Sequence, residues 1–528
     1  MQTTTVEFFG QACTSIRSSG IDIVSDPWFS DRAHLRAWVP FPTWSTEQLR
    51  AIHQRIDAAT HIYLSHHHED HFDPEFLRSL SRKTILVGNF WNDKMQRALR
   101  DLSTIHEIRR INHMQEVSLS PEISVQAILQ QPKFRTDSML LIKTPESVIL
   151  NANDCGLDSE ALKTISERNR VTVFMYTLNF MASGYPISYL RSDDPDFSKH
   201  MDILRTETVG LFRYAMQQLK PELAVAFAGP VMFHDKVNAH LNRYPESVDW
   251  TQMVEEVAPA GDVIWPAPFS QIVCEQHRVV SRDVQPWPSP DTPQPSLGEE
   301  EIVGPPPTQD EILTAAQSFV AMVNRILTET DTNVTTQLGL SAVPSVAGVE
   351  SEEPLWHMRL RFDNPDPACE FVDAAAAGAA PCVHITTTPQ ILHRLLSGDI
   401  TVDDLLLSAK ARFRRDPDSF NSTLHNIMRF GGDASSGRAL VQWMKRMKEI
   451  GQSIFVQYKD KTFQIPKYCP HEGESLEAAT ITEDGNIICQ RHKWTFCLAD
   501  GACLAGDKGI NLYDSLKENP TSSTRTNA

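Results

Sequence analysis

The sequence predicts a multidomain fold, with an α/β unit in the N-terminal half, a small α+β unit in the middle and a small all-β unit at the C-terminus. Three observations lead there. The chain has 528 residues, more than one hydrophobic core ordinarily serves. A run carrying eight prolines between Pro286 and Pro307 cannot form helix or central strand, since proline lacks the N–H and fixes φ. It reads as an extended linker over 284–308. The texture of the sequence differs on the two sides of that run and changes again near residue 448.

In residues 1–283, short β-like runs ("TVEFFG", "TSIRSS", "IDIVSD", "HIYLSH", "TILVGN", "SVILNAN", "LAVAFAG") alternate with helical segments, for example near 74–82 and 201–219. That alternation is an α/β pattern. After the linker, 309–328 has helical periodicity. Strand-like "WHMRLRFD" and "PCVHITTT" follow, then "PQILHRLLSGDITVDDLLLSAKARF" as helix, turn and helix or strand. These make an α+β unit over 309–447. Its element order resembles sterol-carrier-like lipid-binding domains, and a structural or oligomerisation module is the alternative. From 448 to 515, short strands, the glycine turns "EDGN" and "ADGA" and clustered Cys/His predict an all-β unit. Residues 516–528 read as a disordered tail.

The composition is 41% apolar and 22% charged, which is ordinary for globular proteins. A net charge of −18 argues against a nucleic-acid partner. Basic runs such as "KARFRR" at 410–415 sit beside acids and read as solvated helix faces. No run of about 18 apolar residues exists, so no membrane span is expected. The N-terminus has neither the charged nor the apolar region of a secretory signal. Nine cysteines, odd in number and irregularly spaced, point away from a disulfide framework and to a reducing cytoplasm.

Two clusters carry the chemistry. Near the C-terminus, Cys469-x-His471 is followed after seventeen residues by Cys489-x-x-His492. Two thiolates can hold one iron of a [2Fe–2S] cluster and two imidazoles the other. A Cys₂His₂ zinc site uses similar atoms. Context decides between them. "CPHEGESL" and "CQRHKWTFCLADGACL" resemble the two halves of the Rieske motif, with Trp494, Phe496 and Gly501 as its aromatic pair and glycine turn. The resemblance assigns Cys469 and Cys489 to one iron, His471 and His492 to the other. Glu474 and Arg491 stand near the places where the respiratory-chain type has its extra disulfide, so the motif looks like the ferredoxin and oxygenase type. Cys497 and Cys503 read as buried small hydrophobes.

The other cluster is "YLSHHHEDHFD". His66, His68, Asp70 and His71 form His-x-His-x-Asp-His after an apolar strand and before a helical start at Pro74. A loop at a strand's C-terminal end lets such side chains converge. The pattern resembles the metallo-β-lactamase superfamily, which implies an αββα sandwich with one or two metals. By that resemblance His66 and His68 serve one metal, and Asp70 and His71 the other. Asp154 in "VILNANDC" is the bridging carboxylate, His234 in "AVAFAGPVMFHD" the last ligand, and Asp26 orients the loop. His67 and Glu69 are not ligands. Gln131 stands where the family has a further histidine, as a weak ligand or none; His106 and His113 are not in that position.

A metal alone suggests hydrolysis. Hydrolysis uses no electrons, whereas a Rieske cluster moves them singly. Together the clusters predict a monooxygenase using O₂ at one or two non-haem irons, with a redox-regulated zinc hydrolase as the alternative and a non-catalytic electron carrier as a third reading. Residues 20–270 ("DPWFSDRAHLRAW", "NFMASGYPISY", "DVIWPAPF" among them) also resemble the CMP-N-acetylneuraminate hydroxylase family, which places its Rieske domain at the opposite end. The monooxygenase reading calls for an external reductase or ferredoxin and a small-molecule substrate; the resemblance points to a nucleotide-sugar, with an amine or a natural-product intermediate as the alternatives. Arg36, Asn179 and Tyr185 are the candidate substrate contacts. A homo-oligomer, or a folded-back linker, would bring the cluster near the iron.

Overall fold

The computed structural model describes residues 2–29, 32–90, 93–129, 137–157, 159–181, 184–191, 193–242, 250–287, 304–330, 334–346, 352–362, 368–416, 422–430, 453–459, 461–470, 475–490, 493–504 and 510. Two sheets face each other in the N-terminal half. One has eight strands, in the order Arg278–Asp283, Gln271–Glu275, Thr4–Gly10, Cys13–Ser18, Ile21–Ser25, His61–Leu64, Thr84–Gly88, Glu107–Ile111. The other has seven: Val263–Ile264, Leu223–Phe227, Val173–Thr177, Val148–Asn151, Ser138–Lys143, Ser124–Leu129, Glu116–Ser118.

Each sheet is antiparallel at one side and parallel at the other. Parallel neighbours need crossovers. The helices Thr46–Asp57, Pro74–Arg78 and Asp93–Leu102 supply them for the first sheet, and Ser159–Arg168, Pro195–Leu219 and Trp250–Val257 for the second. Val6, Ile62 and Leu86 from one sheet share an apolar cluster with Val125, Leu140 and Val173 from the other. Phe197 and Phe212 cover the outer face of the second sheet at Leu150 and Phe174. This is the expected αββα sandwich. Strands such as Val173–Thr177 and Leu223–Phe227 are buried along their whole length, which is why they read as continuous apolar runs. The helix expected from 201 begins at Pro195, because Asp194 caps the N–H of Asp196 and proline suits the first helical turn.

The middle segment is α+β. Its five strands lie in the order Cys369–Val372, Trp356–Leu360, Gln337–Ala342, Cys382–Thr387, Arg412–Asp416. Helices Gln309–Thr330 and Pro389–Ser397 pack Phe319, Val323 and Leu392 on Leu338, Leu340 and Ile385. The run at 410–415 corrects its sequence reading. Lys410 is buried, and Arg412–Asp416 is a strand rather than a solvated helix face. The alternation of Phe413 with arginine has period 2 once the strand is seen.

At the C-terminus, a hairpin (Ser453–Tyr458 with Lys461–Pro466) and a three-stranded sheet (Thr480–Ile481, Asn486–Ile488, Thr495–Cys497) enclose Cys469, Cys489, Leu476, Trp494 and Phe496. The described residues here are β apart from a 3₁₀ turn at Leu476–Ala478. Cys497 and Cys503 are half-exposed rather than buried. None of the nine cysteines is in a disulfide. Among the described residues no helix is long and apolar enough to cross a membrane.

The segments touch. Trp38 Nε1 donates to Leu407 O (2.8 Å), and Phe413 N donates to Ser188 O (2.8 Å). At Gly184 a Cβ would come within 2.8 Å of Leu406, so glycine permits this approach. Lys467 Nζ meets Glu160 Oε1 at 2.8 Å.

Candidate metal centre

The site lies where several parallel strands end, as in other α/β proteins. Asp26 follows Ile21–Ser25 and is fully buried. Its carboxylate accepts from Ser65 N (2.8 Å), Ser65 Oγ (2.7 Å) and His71 Nδ1 (3.1 Å). Asp26 thus organises the loop, as expected for it. A carboxylate only accepts, so His71 Nδ1 carries a hydrogen and its Nε2 faces Asp70 Oδ2 and Asp154 Oδ1, each at 3.5 Å. Ser65 Oγ gives its hydrogen to Asp26 and therefore accepts from His66 Nδ1 at 2.9 Å. Both imidazoles are oriented through Nδ1, as metal-ligating histidines usually are.

The ligand atoms of His66, His68 and Asp154 lie within 4.8 Å of one another. The His66 ring centroid is 4.5 Å from that of His68 and 4.2 Å from that of His71. Asp154 Oδ1 is buried and accepts no hydrogen bond among the described residues, although it faces His66 Nδ1 at 3.8 Å. An orphaned buried acceptor is costly unless something fills its place. A cation between these groups satisfies it, so the donor set fits a metal.

The charges agree. Burial opposes a charge on His71, but Asp154, Asp70 and Asp26 push its pKa up to about 10. In the metal-free protein a proton sits where a cation would replace it. Desolvation, with the neighbouring imidazoles of His66 and His67, holds His68 well below its ordinary pKa and keeps it neutral, the ligating form. Burial would raise the Asp70 pKa, but His71 and His34 hold it far below the usual carboxylate range.

Two residues that the sequence reading missed build the Asp70 side. His34 Nε2 lies 3.0 Å from Asp70 Oδ1, and Gln11 Nε2 donates to Oδ2 at 2.8 Å. Both oxygens of Asp70 are therefore already engaged, in contrast to Asp154. His34 also packs edge-on against Trp38, with centroids 4.5 Å apart. No periodicity or motif marked either residue. The backbone does: Gln11, Asp26, His34, Leu35, Arg36, Asn153 and Ala228 all have φ between 39° and 64°. Non-glycine residues in this region cost on the order of 1 kcal/mol each and gather at functional sites.

The remaining candidates are placed as follows. His234 follows strand Val231–Phe233, and its N–H donates to Ala37 O at 2.7 Å, tying it to the turn that carries His34. Its ring is outside the group converging within 4.8 Å. Gln131, His471 and His492 lie outside the described residues. Arg36 is half-buried in that same turn. Asn179 Oδ1 accepts from Met181 N, a turn-closing role. Tyr185 is not with the metal cluster. It meets His200 Nε2 at 3.2 Å and lines a cavity shared with the middle segment. His67 and Glu69 line a different cavity of about 440 Å³. His106 and His113 bond to backbone: His106 to Leu77 O and Lys83 N, His113 to Leu129 N. Cys469 and Cys489 are buried in one small core that also holds Trp494 and Phe496, which fits thiolates reserved for a cluster.

Comparison with known proteins agrees with both ends. The family model of a beta-lactamase superfamily domain matches residues 5–159, and that of a Rieske [2Fe-2S] domain matches residues 438–511. A Mycolicibacterium smegmatis relative, named as a Rieske 2Fe-2S iron-sulfur protein, is 23% identical over 97% of this chain and 99% of its own. The cytidine monophosphate-N-acetylneuraminic acid hydroxylase of Danio rerio is 24% identical over 43% of this chain and 38% of its own length. The crystal structure of CmlA, a diiron beta-hydroxylase from Streptomyces venezuelae, covers 52% of this chain and 54% of its own at 15% identity, with a TM-score of 0.36. The chain joins an N-terminal metallo-β-lactamase-like domain to a C-terminal Rieske [2Fe–2S] domain.

Proposed function

We propose that the protein is an iron-dependent monooxygenase acting on a small molecule. The observation that carries this is the presence, in one chain, of a converging His/Asp donor set and a Rieske domain. A hydrolase has no use for electrons. Imidazole and carboxylate ligands with open positions suit non-haem iron. His66, His68, His71 and Asp154, with Asp70 and His234 flanking, would hold the iron, which would supply O₂ activation, and Cys469, His471, Cys489 and His492 would hold the cluster, which would supply electrons from an external reductase or ferredoxin.

The chain's own residues set the stage. Asp26 and Ser65 fix the imidazole tautomers. His34 and Gln11 hold Asp70 as an anion. Trp38 and Phe72 are buried, and Trp38 packs edge-on against His34. Lys467, two residues before Cys469, pairs with Glu160, six residues after Asp154. That contact supports electron delivery within one chain. The relatives named as hydroxylases of a CMP-linked sugar favour a nucleotide-sugar among the substrate classes, with amines and natural-product intermediates as the others.

The test is isotopic. Purified protein, a ferredoxin reductase system and a small-molecule extract are incubated under ¹⁸O₂. The account expects one ¹⁸O atom from O₂ in a product that needs reductant to form. A product labelled only from H₂¹⁸O, formed without reductant by zinc-loaded protein, would establish the hydrolase instead.

A further inference from the structure

The strand Arg412–Asp416 forms one edge of the middle sheet, and the loop around Ser188 covers it: Phe413 N donates to Ser188 O, and Arg412 donates to Ile187 O. Between loop and sheet lies a cavity of about 590 Å³, within the usual range for a small-molecule site. Arg191, Arg412, Arg414 and Arg415 line it together with His357 and His384. Among the described residues no Asp or Glu does so. In a chain of net charge −18 such a concentration of cationic side chains is unusual.

The register shows how the wall is built. His384 lies opposite Arg414 and Thr386 opposite Arg412, while Ser341 pairs with both Thr386 and His357. Residues directly opposite share a face of a sheet. The helices cover the other face, where Leu340 and Ile385 point; Phe413, opposite Ile385, and Arg415, opposite Val383, lie on that face too, and at the edge of the sheet they reach the cavity beside Tyr189. Ser341 Oγ joins the two imidazoles, 2.6 Å from His357 Nδ1 and 2.7 Å from His384 Nε2, which presets their ring orientation. The Arg415 guanidinium lies 4.9 Å from the Tyr189 ring and 5.8 Å from that of Tyr185, cation–π contacts that hold it beside the cavity. Arg191 is held by Asp193 outside the cavity, at 3.0 Å. Planar guanidiniums fixed around one space, with hydroxyls between them, match the several oxygens of a phosphate better than one carboxylate.

We propose that this cavity binds a phosphate-bearing small molecule, at a site separate from the metal cluster, with Arg412, Arg414 and Arg415 as the anion contacts. It shares no residue with the His66, His68 and Asp154 group, so the assignment does not depend on the oxygenase reading.

The test titrates the full-length protein calorimetrically with inorganic pyrophosphate, and separately with citrate, at low salt. Pyrophosphate is expected to bind saturably, in the millimolar range or tighter, and more tightly than citrate. Arg414→Glu, at an exposed position of the strand, is expected to weaken it at least about tenfold, as is Thr386→Asp, which sets a carboxylate in the wall. Arg278→Glu, on a distant exposed strand, is expected to leave it unchanged. Absent saturation with wild-type protein, tighter binding of citrate, or equal loss in Arg278→Glu overturns the proposal. Unchanged far-ultraviolet circular dichroism shows that the variants are folded.

Discussion

The two metal-capable clusters are built in opposite ways. The C-terminal one draws all four residues from a span of 24, Cys469 to His492, and its two described members, Cys469 and Cys489, are buried in one small core. The N-terminal one draws on Gln11, Asp26, His34, the 65–71 loop and Asp154, brought together by strands of two facing sheets. The first needs only its own domain to be correct. The second needs a whole sandwich, and a scaffold of hydrogen bonds behind the ligands. The local site should therefore fail only when a ligand is lost, and the distributed one in graded steps as its support is removed.

The largest effect expected is at the local site. Cys469→Ser or Cys489→Ser should abolish the visible absorption and electron paramagnetic resonance signal of the cluster, while leaving metal uptake by the N-terminal domain intact. Loss of both together would break the comparison. Next, Asp154→Ala should remove most N-terminal metal, by more than about a hundredfold in affinity, with the cluster signal unchanged. Asp26→Asn touches no metal position but frees Ser65 and the Nδ1 side of His71, and should weaken metal binding about 10–100-fold. His34→Ala leaves one Asp70 oxygen short of a donor, an effect of about 1–3 kcal/mol on stability, with only a small change in metal affinity.

Much of this was readable from the sequence, and the parts that were not share a cause. The His-x-His-x-Asp-His loop is a short-range pattern, and the structure brings its His66 and His68 together with Asp154. Asp154 and Asp26 could be placed because each follows an apolar strand. His34 and Gln11 could not, since what defines them is a left-handed backbone and a contact with Asp70 across 36 and 59 positions, and neither leaves a periodic trace. Tyr185, a candidate substrate contact in "NFMASGYP", packs with Tyr189 and Arg415. The basic run at 410–415 was misread for a related reason. Its charge was visible, but the partner face at Ser188 lies more than 200 residues earlier.

A further effect expected is a pH trend, opposite for the two states of the N-terminal site. In the metal-free protein the folded pKa of His71 is raised above its unfolded value of about 6.5. Its contribution to stability is therefore fully present below pH ~6.5 and fades as pH rises through about 10. Metal binding must expel that proton, so metal affinity should rise over the same window. Thermal unfolding of metal-free protein across this range should show the fade in wild type and not in His71→Ala. A wild-type profile as flat as the variant's would remove His71 from the cluster's electrostatics.

The most direct test of the central claim is a joint assay of iron, zinc and acid-labile sulfide in protein purified without air, on wild type and Asp154→Ala, with Mössbauer spectra of both. The account predicts iron in clear excess over sulfide in wild type, as a population distinct from the cluster's, and equal iron and sulfide in the variant. Iron equal to sulfide in both, with zinc lost from the variant, would contradict it.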